Sequence, residues 1–283
     1  MSVLDRTTPP EAGTPPVTAG RRFADRALRL LGRLGVALSV AFLLAPAVVI
    51  VVLSFSGDDV LAFPPRDWGT RQYEELFSSD IWLPAIWLSV KIAAPSALLA
   101  LLIGVPACLA IVRSRLPGRF ALQIGGIAGM IVPVSAYAVA MYGVFAQFEL
   151  LGSFWGLVIA NAILGLPFVL VMGTAALTRV PVELELVAIT LGASRLRAWL
   201  GITLRLMVPA IFGSAVLAFV TAFDEAVFIN FLGGPDLVTM PKAIFDSVRY
   251  GVDPAITAIA TLLMVATGAL MSLPTLLRKK DPR

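Results

Sequence analysis

Residues 181–209 read PVELELVAITLGASRLRAWLGITLRLMVP. Leu184, Val187, Ala188 and Leu191 recur at helical spacing, Gly192 is placed to close that helix, and Ser194 to cap a second one carrying Leu196, Trp199, Leu200 and Leu204. The pattern predicts helix, tight turn, helix, with an apolar ridge and Arg195, Arg197 and Arg205 beside it. Apolar runs of bilayer length lie on both sides, so the segment has to lie on a membrane surface or in the cytoplasm. Such a ridge suits a partner's groove. The alternative is a helix pair resting on lipid.

Hydrophobic residues make up 58% of the 283 and charged ones 14%, with a mean hydropathy of +0.90. No water-soluble core hides that much apolar surface, which makes this an integral membrane protein. Apolar stretches at 35–55, 85–111, 121–147, 154–177, 206–232 and 255–277 each reach the roughly 20 residues that a bilayer requires. Pro46, Pro95, Pro106, Pro133 and Pro167 fall inside them and are compatible with membrane helix, where neighbouring helices satisfy the freed backbone groups. The expected fold is all-α with six transmembrane helices in one domain, 21–283. A Pro-, Thr- and Gly-rich tail at 1–20 reads as disordered.

Charge sets the expected orientation. Of 22 basic residues, 17 fall before the first span or after the second, fourth and sixth: Arg6, Arg21, Arg22, Arg26, Arg29, Arg33; Arg113, Arg115, Arg119; Arg179, Arg195, Arg197, Arg205; Arg278, Lys279, Lys280, Arg283. Both termini are then cytoplasmic. The other side holds Arg66, Arg71, Lys242 and Arg249 among many carboxylates, including Asp58, Asp59, Glu75, Asp236 and Asp253, with Lys91 near the outer end of span two. The net charge of +4 is thus a topology signal and no sign of nucleic-acid binding. Arg22, Arg26, Arg29 and Arg33 share a helical face and suit either a short interfacial lead-in helix or simple anchoring.

Other features exclude functions. The single cysteine, Cys108, sits among apolar residues in span two and reads as packing; with no histidine, the usual metal ligand and proton shuttle is missing. A phosphate-binding loop needs Gly-Lys, and the chain contains no such pair, so any ATP used in transport must be bound by another polypeptide. No cofactor and no catalytic residue is expected in this chain.

Asp224 and Glu225 lie inside the fifth apolar run, where burying an ionised carboxylate costs about 2.5–3.5 kcal/mol on insertion scales. Neighbours on a helix point about 100° apart, so one is expected to face a translocation route and the other to bond within the bundle. A purely structural pair is the alternative. Asn161, Gln147, Asn230, Tyr137 and Tyr142 are further polar groups in or near spans, though such groups more often bond a neighbouring helix. Gly125 and Gly129 form a helix-packing spacing in span three, and the outer loop from Gly233 to Pro254 is long and rich in turn residues.

The 181–209 segment resembles the loop signature of binding-protein-dependent ABC importer permeases: Glu-Ala-Ala, three residues, Gly, nine residues, Ile-x-Leu-Pro. With Gly192 on the glycine, Ala188 falls on the last alanine and Ile202 and Leu204 on Ile and Leu, while Leu186, Val187 and Arg205 replace Glu, Ala and Pro. Glu185 stands one residue away, where members often carry a double glutamate. The resemblance implies a type I importer permease fold whose coupling helix enters a cleft of an ATPase subunit. Glu185, Ala188, Gly192, Ala193, Ser194, Ile202 and Leu204 would then be the coupling residues.

Residues 223–264 are similar to the end of permeases of the spermidine and putrescine type. Phe223, Asp224 and Glu225 are followed by Gly234 and Pro235, by Pro241, Lys242 and Ile244, and by Arg249, Gly251, Pro254, Ile256, Ala258 and Thr261. This resemblance implies a small cationic solute; the polar groups expected to line its route are Asp224, Glu225, Asn161 and Tyr137. It also implies an ABC ATPase dimer using ATP and Mg, a second permease of a different chain, a solute-binding protein and a bacterial inner membrane. The rivals are a permease for another small solute, a secondary transporter using Asp224 or Glu225 as its ion site, which should show inverted repeats that we do not detect, and a scaffold or channel subunit.

Overall fold

The computed structural model describes residues 19–278. Of the tail expected to be disordered, residues 1–18 lie outside the described residues, as do Lys279, Lys280 and Arg283. The architecture is helical throughout the described residues, with one isolated antiparallel bridge between Ser56 and Trp68. In order, the elements are α1 Ala19–Ser54, α2 Arg71–Ser78, α3 Trp82–Arg113, α4 Arg119–Ala128, α5 Val134–Gln147 and α6 Phe154–Leu177. Then come α7 Val182–Thr190, α8 Arg195–Ala198, a π-helical turn Trp199–Thr203, α9 Leu204–Phe223, α10 Val227–Leu232, α11 Met240–Tyr250 and α12 Ala255–Arg278.

Among the described residues four helices are long and apolar enough to cross a membrane: Leu28–Ser54, Trp82–Arg113, Phe154–Leu177 and the continuous run Arg195–Phe223. They match the first, second, fourth and fifth apolar stretches. The lead-in helix expected around Arg22–Arg33 is no separate element, since α1 is unbroken from Ala19.

The third stretch, 121–147, is broken. Pro133 lacks an N–H and, behind β-branched Ile131 and Val132, turns the chain out of helix, so α4 ends and α5 begins at Val134. Pro95, Pro106, Pro167 and Pro209, by contrast, sit inside continuous helices. The fifth stretch, 206–232, breaks at residues 224–226, the carboxylate pair.

Helices α3, α6 and α9 form the centre, α10 packs on α5 and α6, α2 on α12, and α1 along α12. With lipid tails as apolar as leucine, close packing must supply the cohesion, and small residues allow it. A Cβ at Gly173 would come within 2.6 Å of the Cys108 sulfur, so α3 and α6 touch there only because residue 173 has no side chain. Cys108 is fully buried against carbonyl oxygens of Val169 and Leu170, a packing role. The Gly125/Gly129 pair is no common seam: a Cβ at Gly125 would meet nothing within 4 Å, whereas one at Gly126 or Gly129 would face α6.

The connections at the acidic end are built, not slack. Gln72 is completely buried and donates to the carbonyls of Ser56 at 3.1 Å and Asp58 at 3.0 Å, pinning α2 under the 55–70 loop. The stretch 233–254, expected as loop, contains the amphipathic helix α11, entered through Pro241 in its first turn and anchored by Met240 N–H donating to the buried Ser89 hydroxyl at 2.8 Å. Trp82 ties α3 to this region through its indole N–H on Asp253, 2.8 Å away. Lys91 stands 5.5 Å from the Trp87 ring centroid, a cation–π pair on an exposed face.

Candidate functional site

The 181–205 segment folds as its spacing predicts. Pro181 leads into α7; Gly192 takes a left-handed φ of +94°, and Gly192 and Ala193 donate back to Ile189 and Ala188, each at 3.0 Å. Only glycine adopts that conformation without strain. The Ser194 hydroxyl then caps α8 by accepting from Arg197 N–H at 3.3 Å. What the periodicity does not reveal is the π turn at Trp199–Thr203, which joins α8 to α9 and makes one continuous rod from the helix–turn–helix into the bundle.

Leu184, Val187, Leu191, Leu196 and Leu200 are exposed, Leu191 at 83%. Beside them lies a groove of about 520 Å³ between α7 and the start of α9, lined by Leu184, Val187, Ala188, Leu191, Ile202 and Arg205. Ile202 therefore joins Ala188 at the groove, whereas Leu204 packs inward against the α3–α6–α9 core. Glu185 also turns inward. Its carboxylate accepts from the Thr203 hydroxyl at 2.5 Å and lies 3.8 Å from the Arg113 guanidinium, which itself donates to the Val180 carbonyl at 2.6 Å. Arg113 and Thr203 escaped sequence reasoning: the first counts only as one topology charge, and the second sits between two motif positions.

The carboxylate pair is divided by the break in the fifth stretch, and the reading of both residues on one continuous helix is corrected. Glu225, one residue before the N-cap Ala226, accepts from Val227 N–H at 2.6 Å and Phe228 N–H at 3.1 Å, so its carboxylate caps α10 by satisfying the first two N–H groups of that helix. Asp224, at the C-terminal end of α9, is exposed and lines a cavity of about 370 Å³ with Ile86, Val90, Phe219, Phe223, Met240 and Leu263. Phe219 and Phe223 stack there with centroids 5.9 Å apart. Helical spacing alone would have found that aromatic pair.

The other candidates do not converge on this cavity. Asn161 is 4% exposed in α6, with its amide donating to Leu157 O at 2.9 Å. Tyr137 is half-buried against the α5–α6–α10 core. Asn230 bonds back to Ala226 O at 2.6 Å, while Gln147 and Tyr142 are exposed.

An apolar helical bundle with an exposed amphipathic helix–turn–helix at one end and a lone carboxylate cavity within defines a membrane transport subunit. The chain belongs to the family described as binding-protein-dependent transport system inner membrane component, which matches residues 96–275, and it is a permease subunit of an ABC importer in the inner membrane. It is similar to the putrescine transport system permease protein PotI of Escherichia coli K12, 31% identical over 241 residues, covering 82% of this chain and 84% of that one. The spermidine/putrescine transport system permease protein PotC of Haemophilus influenzae is 31% identical over 242 residues, covering 85% and 93%. A molybdenum transport system permease protein, ModB of Mycobacterium bovis, is 28% identical over 224 residues, covering 74% and 82%. In fold, the chain is similar to a chain of a bacterial ABC transporter involved in import of the polysaccharide alginate, with a TM-score of 0.71, 14% identity and coverage of 95% and 100%.

Proposed function

We propose that this permease carries polyamines or a similar small cationic solute, and that Asp224 is its charge-recognising group. The observation that supports it most is the cavity itself. One exposed carboxylate stands among apolar walls and beside a stacked phenylalanine pair, which suits an ammonium group on an alkyl chain. The names of the PotI and PotC relatives agree with that chemistry. Glu225, spent on capping α10, serves the shape of the route. Asn161 and Tyr137 enter the route only in an arrangement of the bundle that uncovers them, since neither lines the Asp224 cavity.

In this reading the chain has six spans, α4–α5 and α12 completing the set, in a type I arrangement with both termini cytoplasmic. The 181–205 segment docks on an ATPase dimer that binds ATP and Mg, and Glu185, Ala188, Gly192, Ala193, Ser194, Ile202 and Leu204 shape that contact. A second, different permease completes the pathway, and a solute-binding protein delivers cargo at the acidic face. Closure of the ATPases moves α7 and α8, and the bundle exchanges outward for inward opening, a coupling that requires two discrete states.

The test is uptake of labelled putrescine and spermidine by cells carrying the complete transporter, with wild-type chain and with Asp224→Asn. ATP-dependent, saturable uptake lost in the variant is expected. No polyamine uptake by an assembled, ATP-hydrolysing complex would return the substrate to a ligand screen of the binding protein. Removal of residues 183–204 should abolish ATPase recruitment, an outcome that neither a secondary transporter nor a scaffold would show.

A further inference from the structure

The coupling segment is held to the bundle by a small polar clasp, and the geometry points to Arg113 and Thr203 as positioning residues that convert movement of α7 into movement of α3 and α9. This inference rests on the coupling reading above and goes beyond it by naming the mechanical link. One oxygen of Glu185, on α7, accepts the Thr203 hydroxyl at 2.5 Å and faces the same Arg113 nitrogen at 3.8 Å. That nitrogen also holds the Val180 carbonyl, just after α6, at 2.6 Å. Four segments thus meet at one point: the end of α3, the exit of α6, the middle of α7 and the π turn that begins the α9 rod.

Leu184, Val187 and Leu191 are exposed, and at Gly192, in the turn after α7, a Cβ would meet nothing within 4 Å, so the turn has room to give. A push on α7 that met only these groups would be absorbed in the turn. The clasp gives it a short path instead. Arg113 and Glu185 are each about one-fifth exposed, so water screens the pair less than it would a surface pair. Thr203 is completely buried, which fixes its hydroxyl against the carboxylate. At their far ends α3 carries Ile86 and Val90 and α9 carries Phe219, Phe223 and Asp224, walls of one cavity. The clasp therefore joins the docking segment to both helices that shape the solute site.

The experiment uses the whole transporter in lipid vesicles and reads two quantities: ATPase subunits bound per permease, and solute moved per ATP hydrolysed. Thr203→Val keeps the volume and removes the hydroxyl; Arg113→Gln removes the charge. Each is expected to leave ATPase recruitment at the wild-type level while solute per ATP falls about three- to tenfold, with Thr203→Ser and Arg113→Lys recovering most of it. Unchanged solute per ATP in Thr203→Val and Arg113→Gln would overturn the proposal, as would failure of both to assemble, which would make the clasp a folding brace. Failure of the wild-type chain to recruit ATPase would instead overturn the coupling reading on which it rests.

Discussion

At the scale of single residues, Asp224 and Glu225 are adjacent and chemically alike, yet their surroundings assign them different tasks. Glu225→Gln keeps a carbonyl oxygen to accept from α10, so it should be mild, whereas Glu225→Ala should cost about 1 kcal/mol of stability as the loss of a helix cap does. Thermal unfolding of the purified complex checks this, and a larger loss of uptake in Glu225→Gln than in Asp224→Asn would reverse the assignment. The seam between α3 and α6 makes a second residue-scale test. Gly173→Ala forces a methyl against the Cys108 sulfur and should destabilise by roughly 1–3 kcal/mol, with Cys108→Ala in the same chain restoring part of it. Additive losses in the double variant would show that the two positions do not share that contact. The carboxylates were legible as unusual from sequence because charge in an apolar run is costly. That the two differ in surroundings follows from their spacing; which of them bonds the backbone does not, because it depends on where the helix stops.

At the scale of elements, the turn between α7 and α8 is the best-read part of the chain. Gly192 and Ser194 announce it by conformation and by capping chemistry, and both act as those rules require. Gly192→Ala should cost about 1–2 kcal/mol, the penalty of a left-handed residue with a Cβ, and should weaken copurification of the ATPase subunits. The π turn that follows was hidden, since its extra residue per turn leaves the apolar stripe nearly unchanged over five positions. The 55–70 connection carries a different prediction. Asp58 accepts the Arg66 N–H at 2.9 Å, and chiefly for that reason its carboxyl titrates below the usual carboxylate range. A group with a lowered folded pKa stabilises above its unfolded value and ceases to do so as pH falls through the folded one. Protease cleavage within 55–70 should thus be slow near neutrality and rise below about pH 4, the unfolded aspartate value, with Asp58→Asn removing most of that dependence. An identical acid response in Asp58→Asn would place its origin elsewhere.

At the scale of the whole molecule, composition places the chain in a membrane, because so much apolar surface has no other home, and apolar runs of roughly 20 residues make it helical. Length accounts for the four long helices among the described residues, and the two breaks inside apolar stretches fall where a local signal competes with hydropathy: Pro133 after two β-branched residues, and a carboxylate that holds the first N–H groups of a new helix. Helix α11 was missed because turn residues crowd around an amphipathic stretch. How the helices meet is the part sequence says least about, since in lipid it rests on shape more than on polarity. One consequence concerns time. Helix α1 packs along α12, yet about 200 residues separate the end of one from the start of the other, an interval of roughly 10–40 s at ordinary rates of synthesis. Throughout that interval α1 lacks its α12 neighbour, and its side chains from Leu28 to Leu44, exposed all round, are suited to the wait. Helix α1 is then made long before the helix it packs along, so a ribosome stalled before Ala255 should leave α1 inserted and without that partner.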